Sequence, residues 1–207
     1  MIRPPGHCGV VFTEASDGDQ RSSDLAREKV CDVIGISSSW ATVRQAHGNR
    51  VMQVDGPGMA GEADAMWTVE PGLPLAVYTA DCFGVALVAD EAVGVAHAGW
   101  RGVDSAVVAA LFNELERAGH RPHAAAAGPG IGPCCFEVGQ DVAARFEPFV
   151  DTTAWGTASV NLVAALSEQV ARLKMWSADR CTRHEPNLFS HRRNATSQRL
   201  ATIAWLP

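Results

Sequence analysis

The sequence offers few of the local signatures that usually announce a function. None of its 6 cysteines forms a Cys-x-x-Cys pair, and none of its 7 histidines forms a His-x-His pair. A site holding several copper ions needs many imidazoles, so copper-dependent phenol oxidation has little support from the histidines alone. No secretory signal opens the chain, since residues 1–12 carry Arg3, Pro4, Pro5 and His7 and no long apolar run. The cysteines therefore read as thiols, mostly buried, in a reduced cytoplasmic setting. No stretch approaches the length that spans a bilayer, so no membrane partner is expected. The formal net charge of −6 gives no broad basic surface, and nucleic acid is not expected as a partner. Gly128-Pro129-Gly130-Ile131-Gly132 is glycine-rich but lacks the Lys and Ser or Thr of a phosphate-binding P-loop.

The composition supports a folded domain. Hydrophobic residues make up 47% and charged residues 19% of the 207, enough for a substantial core. With no internal repeat, low-complexity tract or linker, residues 1–207 read as one domain. Strand-like and helix-like segments are interspersed without a strict βαβ rhythm. The fold class that follows is α+β, a single layered domain with mixed β-sheets flanked by helices.

In chain order, Val10 to Phe12 reads as a strand and 13–24 as a polar loop. Leu25 to Ile34 reads as a helix, with Leu25, Ala26, Val30, Val33 and Ile34 on one face, Asp24 as cap and Gly35 as stop. Strands follow at Trp40 to Val43, Val51 to Val54 and Met66 to Val69, with Gly56 to Gly61 as a loop. Leu73 to Tyr78 is a buried-type strand that delivers Asp81 and Cys82 at its end. Asp104 is placed to cap a helix carrying Val107, Val108, Leu111, Phe112 and Leu115, with Gly119 just beyond its end. Ala124 to Ala127 is a short strand, a helix lies near Gln140 to Phe146, and Leu162 to Trp176 is a longer helix. Cys181 opens an irregular segment, and Leu200 to Leu206 closes the chain as a strand.

The stretch Thr79 to Gly102 concentrates the chemistry. Val85 to Val88 and Val93 to Ala96 are short apolar runs broken by Asp90-Glu91. With those two residues as the hairpin loop, Ala89 opposes Ala92 and Gly84 opposes His97. Cys82 then shares a face with His97 as a diagonal neighbour, with backbones about 7–8 Å apart. A one-residue slip would separate them. At that reach the thiolate and imidazole could share a metal ion. With His47, at the end of another candidate strand, they would be three ligands with a fourth position open, the composition of a catalytic zinc site, although spacing alone favours two unrelated histidines and a buried cysteine. Equally, Cys82 could be a nucleophile with His97 as its base. Asp81 could then orient the imidazole, although neighbours on a strand point opposite ways.

Gly99-Trp100-Arg101-Gly102 leads into a helix N-terminus, where an anion could sit with Arg101 as a bidentate contact. The same turn could equally pack Trp100 and leave Arg101 on the surface. Arg192 and Arg193 beside His191 form a basic cluster, either a surface patch or a second anion contact. The vicinal pair Cys134-Cys135 is a poor chelating arrangement and reads as packing. Glu137 is placed either to support a histidine or a substrate hydroxyl, or on the surface. Cys31 and Cys181 read as buried thiols, Cys8 carries no signal, and His120, His123 and His184 read as exposed.

Several segments occur together in an order that resembles one family. They are Gln45-Ala46-His47-Gly48, Ala63-Asp64-Ala65, Thr79-Ala80-Asp81-Cys82, His97-Ala98-Gly99-Trp100-Arg101-Gly102, Gly128 to Val138, and Phe189-Ser190-His191-Arg192-Arg193. The chain is similar over roughly 40–207 to the YfiH-type proteins, also called the laccase-domain or multicopper polyphenol oxidase family. The resemblance implies a YfiH-like α+β domain with a metal site at His47, Cys82 and His97, which double as the catalytic residues. It implies Zn2+ as cofactor, with Cu2+ as the alternative. It further implies phosphorolysis of adenosine, inosine and methylthioadenosine, with adenosine deamination as a second activity, a purine nucleoside and phosphate as partners, and a monomer or homodimer. An editing role on peptidoglycan precursors has also been attached to such proteins. Three positions depart from the family pattern. Ala15 stands where an arginine is usual, Gly84 where proline is common, and Gln198-Arg199 where Gly-Arg is usual.

Overall fold

The computed structural model describes residues 1–7 and 9–207, which leaves Cys8 outside the described residues. Among the described residues, thirteen strands run as β1 (Val10–Phe12), β2 (Ala41–Arg44), β3 (Val51–Gln53), β4 (Gly58–Glu62), β5 (Ala65–Thr68), β6 (Leu75–Thr79), β7 (Phe83–Val88), β8 (Val93–Ala98), β9 (Ala124–Ala127), β10 (Val150–Thr152), β11 (Ala158–Val160), β12 (Met175–Ser177) and β13 (Leu200–Ala204). The α-helices are α1 (Asp24–Ile34), α2 (Trp100–Asp104), α3 (Val107–Arg117), α4 (Gln140–Ala143), α5 (Leu162–Gln169) and α6 (His191–Asn194).

The strands form a five-stranded sheet in the order β1-β13-β6-β2-β4 and a six-stranded sheet in the order β12-β9-β7-β8-β5-β3. Both mix parallel and antiparallel pairs. The two sheets stack face to face. Val77 and Leu75 of β6 and Ala204 of β13 meet Ala86, Val93 and Val95 of the hairpin in one apolar layer. On the far side of the six-stranded sheet, Val85, Leu87 and Ala96 pack under Leu111 and Leu115 of α3 and Leu166 of α5. On the far side of the five-stranded sheet, Val30 and Cys31 of α1 cover Ala76, Ala201 and Ile203. The side-chain alternation of a strand explains this directly: successive residues of β7 and β8 feed opposite layers. The α3 stripe of Val107, Val108, Leu111, Phe112 and Leu115 is fully used, each buried side chain contributing ~1.5–3 kcal/mol.

Close stacking of the sheets requires a glycine at 84. A Cβ there would lie 1.9 Å from Thr202 Oγ1 on β13. This gives Gly84 a packing reason in this chain.

The hairpin register matches the expectation: Gly84 pairs with His97 and Phe83 with Ala98. Ala89 N–H donates to Ala92 O at 2.9 Å, so Asp90-Glu91 is the two-residue loop. Other expectations need correction. Ser23, not Asp24, caps α1, its side chain accepting from Ala26 N, and α1 buries Ala26, Val30 and Cys31 while Leu25 and Val33 are exposed. Gly58–Glu62 is the edge strand β4, not a loop, because its backbone pairs in parallel with β2. Asp104 does not cap α3. It ends the five-residue α2, and Ala106 in the left-handed region (φ 60°) separates the two helices. The Leu162 to Trp176 helix is cut to α5, and Met175–Ser177 becomes β12, paired in parallel with β9. The β10-β11 hairpin had no sequence signal that stood out.

Candidate metal and substrate site

The site forms where one end of the β7-β8 hairpin meets the loops after β2 and β6. His97 lies near the end of β8 on the face toward the five-stranded sheet, and it is buried (3% exposed). Cys82 immediately precedes β7, and the exposed His47 is on the loop after β2. The ligand-capable atoms of these three residues all lie within 4.8 Å of one another. The two imidazole rings meet edge-on, with centroids 4.7 Å apart at 84°. The three side chains singled out from sequence are thus brought together.

A fourth residue, Asp64, organises them. Its carboxylate is almost completely buried (1% exposed). Oδ1 accepts from the His47 backbone N–H and faces His97 Nδ1, both at 2.9 Å. Oδ2 accepts from the backbone N–H groups of Gly48 at 2.7 Å and Ala46 at 3.2 Å. One carboxylate therefore aims the His97 ring, leaving Nε2 for the cluster, and holds the 46–48 turn that presents His47. His47 has φ 63°, a left-handed conformation unusual for a non-glycine, and the bonds to Asp64 stabilise it. Burial alone would push the Asp64 carboxyl up. The bonds from His97, Gly48 and His47 outweigh it and hold the pKa below the usual value. A carboxylate behind a histidine is the arrangement that orients metal-ligating imidazoles.

The charges of the cluster are mutually adapted. Burial pushes the Cys82 thiol up, but its interactions with His47 and His97 prevail and leave it lowered to about 6. Burial pushes the His97 imidazole down, but Asp64 and Cys82 prevail and leave it raised to about 9. Without a metal ion, Cys82 and His97 form a thiolate–imidazolium pair near neutral pH. A divalent ion would take the place of the shared protons.

Two imidazoles and one thiolate fit a tetrahedral zinc-type site with one open position. Metal–ligand bonds of about 2.0–2.3 Å set tetrahedral donors roughly 3.5 Å apart, within reach of this cluster. Gly99 leaves the necessary space. A Cβ at that position would lie 2.8 Å from Cys82 Sγ and 3.1 Å from His47 Cδ2.

The cluster opens into a cavity of about 980 Å³. Its walls include the aromatic residues Trp40, Tyr78, Trp100 and Phe136 and the cations Arg101 and Arg192. Arg101 is exposed, with its guanidinium 4.4 Å over the Trp100 ring. The helix that follows Gly99 has only five residues, so the proposed helix N-terminal anion seat reduces to the Arg101 side chain. Arg192 lies over the Phe136 ring at 5.5 Å and donates to Glu137 O at 3.0 Å. Arg193 is placed differently: its guanidinium donates to the backbone carbonyls of Thr182, Glu185 and Leu188 and does not line the cavity. It braces the segment.

Asp81 does not orient His97. Its carboxylate accepts from Thr182 Oγ1 at 2.7 Å and Arg192 N at 2.6 Å, tying the 181–193 segment to the site. Glu137 is a surface residue that accepts from Trp155 Nε1 at 3.0 Å. Arg21, Arg27 and Arg199 also reach the cavity wall. They add positive charge to the cavity wall, which Ala15 does not line. Asp64 was visible in the sequence only as part of a short motif. A carboxylate flanked by Ala63 and Ala65 and leading into an apolar strand is the signal that marks it as buried.

Comparison with known proteins bears on this constellation. The sequence pattern of the family described as multi-copper polyphenol oxidoreductase laccase matches residues 12–207. The chain belongs to this family, the YfiH-type proteins. Its match extends the recognisable region N-terminally to residue 12, well before residue 40. Among relatives, the chain is 33% identical to a purine nucleoside phosphorylase of Deinococcus radiodurans, covering 97% of this chain and 83% of the relative. It is 35% identical to a purine nucleoside phosphorylase of Mycobacterium tuberculosis, covering 99% and 89% respectively. The fold matches the crystal structure of YlmD from Geobacillus stearothermophilus with a TM-score of 0.85 at 25% identity, covering 99% of this chain and 94% of that one. It matches Bacillus licheniformis YfiH with a TM-score of 0.86 at 22% identity, covering 96% and 92%. The α+β fold with mixed sheets is that of the family. No helix among the described residues is long and apolar enough to cross a membrane.

Proposed function

We propose that this family member is a zinc-dependent purine nucleoside phosphorylase. Its substrates would be adenosine, inosine and methylthioadenosine, with adenosine deamination as a second activity. The observation that carries this reading is the His47–Cys82–His97 set, oriented by Asp64, at the wall of a cavity lined by aromatic rings and arginines. The relatives named purine nucleoside phosphorylase support the substrate class. When bound, the ion supplies Lewis acidity toward a purine nitrogen or a water molecule.

The chain's own residues supply the rest. The planar surfaces of Tyr78, Trp100 and Phe136 offer stacking contacts to a purine. Arg101 and Arg192 offer charge-assisted hydrogen bonds to phosphate. Phosphorolysis joins a phosphate oxygen to the ribose C1′ while the bond from C1′ to the base breaks. Cations fixed along the wall favour that step by holding the anion beside the sugar. Asp64 keeps His97 in one tautomer and one orientation, so no reorganisation is needed at turnover. Two imidazoles and a thiolate make a single-ion site, not a multicopper cluster.

The test is metal analysis of protein purified without added copper, with adenosine and inosine turnover measured in the presence and absence of phosphate. Stoichiometric zinc with phosphate-dependent turnover is the expected result. A folded sample with neither metal nor turnover contradicts it.

A second reading rests on the Cys82–His97 pair. A thiol lowered to about 6 beside an imidazole raised to about 9 is also the state of a cysteine nucleophile. Full activity in strong chelator, abolished by thiol alkylation, would establish a metal-free cysteine hydrolase instead.

A further inference from the structure

A second thiol cluster stands outside the site described above. Cys134 and Cys135 lie on the turn after Gly128-Pro129-Gly130-Ile131-Gly132, and Cys181 comes from the segment after β12. Sequence spacing makes the vicinal pair a poor chelator, because neighbouring residues rarely point at one ion. The fold changes this by adding a third sulfur. The Sγ atoms of Cys134, Cys135 and Cys181 all lie within 4.8 Å of one another, with 3.6 Å between Cys134 and Cys135.

We propose that Cys134, Cys135 and Cys181 form a second metal site, selective for monovalent copper, independent of the His47–Cys82–His97 site. Four observations support it. The sulfur separations suit three-coordinate binding: metal–thiolate bonds near 2.3 Å place three sulfurs of a trigonal site roughly 4 Å apart. The donor set is three thiols, and soft thiolates select soft ions such as Cu(I). No fourth His, Cys, Asp or Glu joins the group among the described residues, whereas a closed structural zinc site wants four ligands. An ion has a route in, since Cys134 and Cys181 are only half-buried.

The surroundings are arranged for the charge. Three thiolates and one Cu(I) carry two net negative charges. The Arg183 guanidinium donates to Cys135 O at 3.3 Å and supplies one compensating positive charge. It is held there over the Trp155 ring at 4.5 Å. Gly132 N–H donates to Cys181 Sγ at 3.3 Å, a bond that strengthens when the sulfur becomes a thiolate. Binding involves no redox step: the copper enters as Cu(I), three S–H protons leave to solvent, and three Cu–S bonds form. In the metal-free protein, burial and the neighbouring sulfurs keep the Cys134 thiol protonated, pushed up to about 12. The ion must therefore displace protons, and its affinity rises with pH.

The location gives the site a consequence. Gly130 bridges Cys181, and Thr182 holds Asp81 beside Cys82. An ion bound to the three sulfurs would fasten the 128–136 turn to the 181–193 segment. These pieces supply Ile131, Phe136 and Arg192 to the cavity wall. The site braces the substrate pocket without belonging to it.

The experiment is anaerobic loading of protein carrying one equivalent of zinc with one equivalent of Cu(I) buffered by a chelator. Rapid alkylation and peptide mass spectrometry then follow each cysteine separately. Cu(I) is expected to protect Cys134, Cys135 and Cys181 together and to leave labelling of Cys31 and Cys82 unchanged. The variants Cys134→Ser and Cys181→Ser are each expected to lose at least about 100-fold in Cu(I) affinity, more than loss of a supporting group would cause. The wild-type protection pattern stands even where a variant folds poorly. Unprotected labelling of the three cysteines in wild-type protein overturns the proposal. Protection by added Zn(II) but not by Cu(I) overturns the choice of ion.

Discussion

Replacing Asp64 with asparagine tests how the site is held together. Oδ1 serves His47 N and His97 Nδ1, and Oδ2 serves Ala46 N and Gly48 N. An asparagine of the same size must put its NH2 group at one of these two positions. With the NH2 group at the Oδ2 position, Ala46 N and Gly48 N face a donor; at the Oδ1 position His47 N does, and His97 loses its bond to charge and must turn Nδ1 into an acceptor, so two of the bonds are lost as they stand. Hydrogen bonds to a charged group are worth ~1.5–3 kcal/mol each, so losing two removes about 3–6 kcal/mol, which relaxation of the exposed 46–48 turn trims to about 3–4. For a chain of this size that corresponds to a fall in Tm of roughly 6–16 °C. Metal affinity should fall by ~10–100-fold, because His97 loses its fixed tautomer and His47 its turn. Differential scanning calorimetry on metal-free protein and chelator competition on zinc-loaded protein read the two effects separately. An Asp64→Asn protein with a Tm within about 2 °C of wild type and unchanged zinc affinity would refute the account of Asp64 as the common anchor.

Gly99→Ala should abolish tight metal binding while the protein still folds. The backbone of Gly99 (φ −75°) suits any residue, but the new methyl would intrude on Cys82 Sγ and His47, and overpacking costs about 1–3 kcal/mol. Zinc content and Tm measured together check this. In metal-free protein the thiolate absorbance of Cys82 should appear with a midpoint near pH 6 instead of near its ordinary 9.0. The linked stability has two parts of opposite sign. The raised His97 stabilises the fold below its ordinary 6.5, and this is lost as pH rises through about 9. The lowered Cys82 stabilises it above 9.0, and this is lost as pH falls through about 6. The two slopes oppose each other between about 6.5 and 9, so urea titrations of metal-free protein should show little pH dependence there from this pair. Arg101→Ala should raise the KM for phosphate by ~10–150-fold, the equivalent of one charge-assisted contact of about 1.5–3 kcal/mol, with little change in Tm. Arg193→Ala should instead lower Tm, since its guanidinium holds three backbone carbonyls of the 182–188 segment and does not reach the cavity.

What the sequence revealed follows the range of the interactions involved. The Cys82–His97 juxtaposition was legible because a two-residue hairpin loop determines the register of both strands, and that register holds in the fold. Gly35 and Gly119 were legible helix ends because both adopt the left-handed conformation that favours glycine. The break between α2 and α3 was not, because it falls at Ala106, which carries no glycine or proline mark. The strand β4 reads as a loop because its glycines lower strand propensity, and only pairing with β2 makes it a strand. The helix α5 stops early because Met175–Ser177 is claimed by a parallel partner, β9. Asp64 takes the role that proximity in sequence assigns to Asp81. Asp81 adjoins Cys82 but faces Thr182, while Asp64, 33 positions from His97, holds the ring. The cysteine cluster was hidden for the same reason: Cys181 joins Cys134 and Cys135 only through the tertiary fold.

The most direct test of the central claim is product analysis on protein of defined metal content. Zinc-loaded wild-type protein is incubated with inosine or adenosine, with and without phosphate, alongside a Cys82→Ser variant. The account predicts free base and ribose 1-phosphate in equal amounts, formed only with phosphate and lost in the variant together with the zinc. Undiminished turnover by zinc-free protein, or release of base without ribose 1-phosphate, would contradict it.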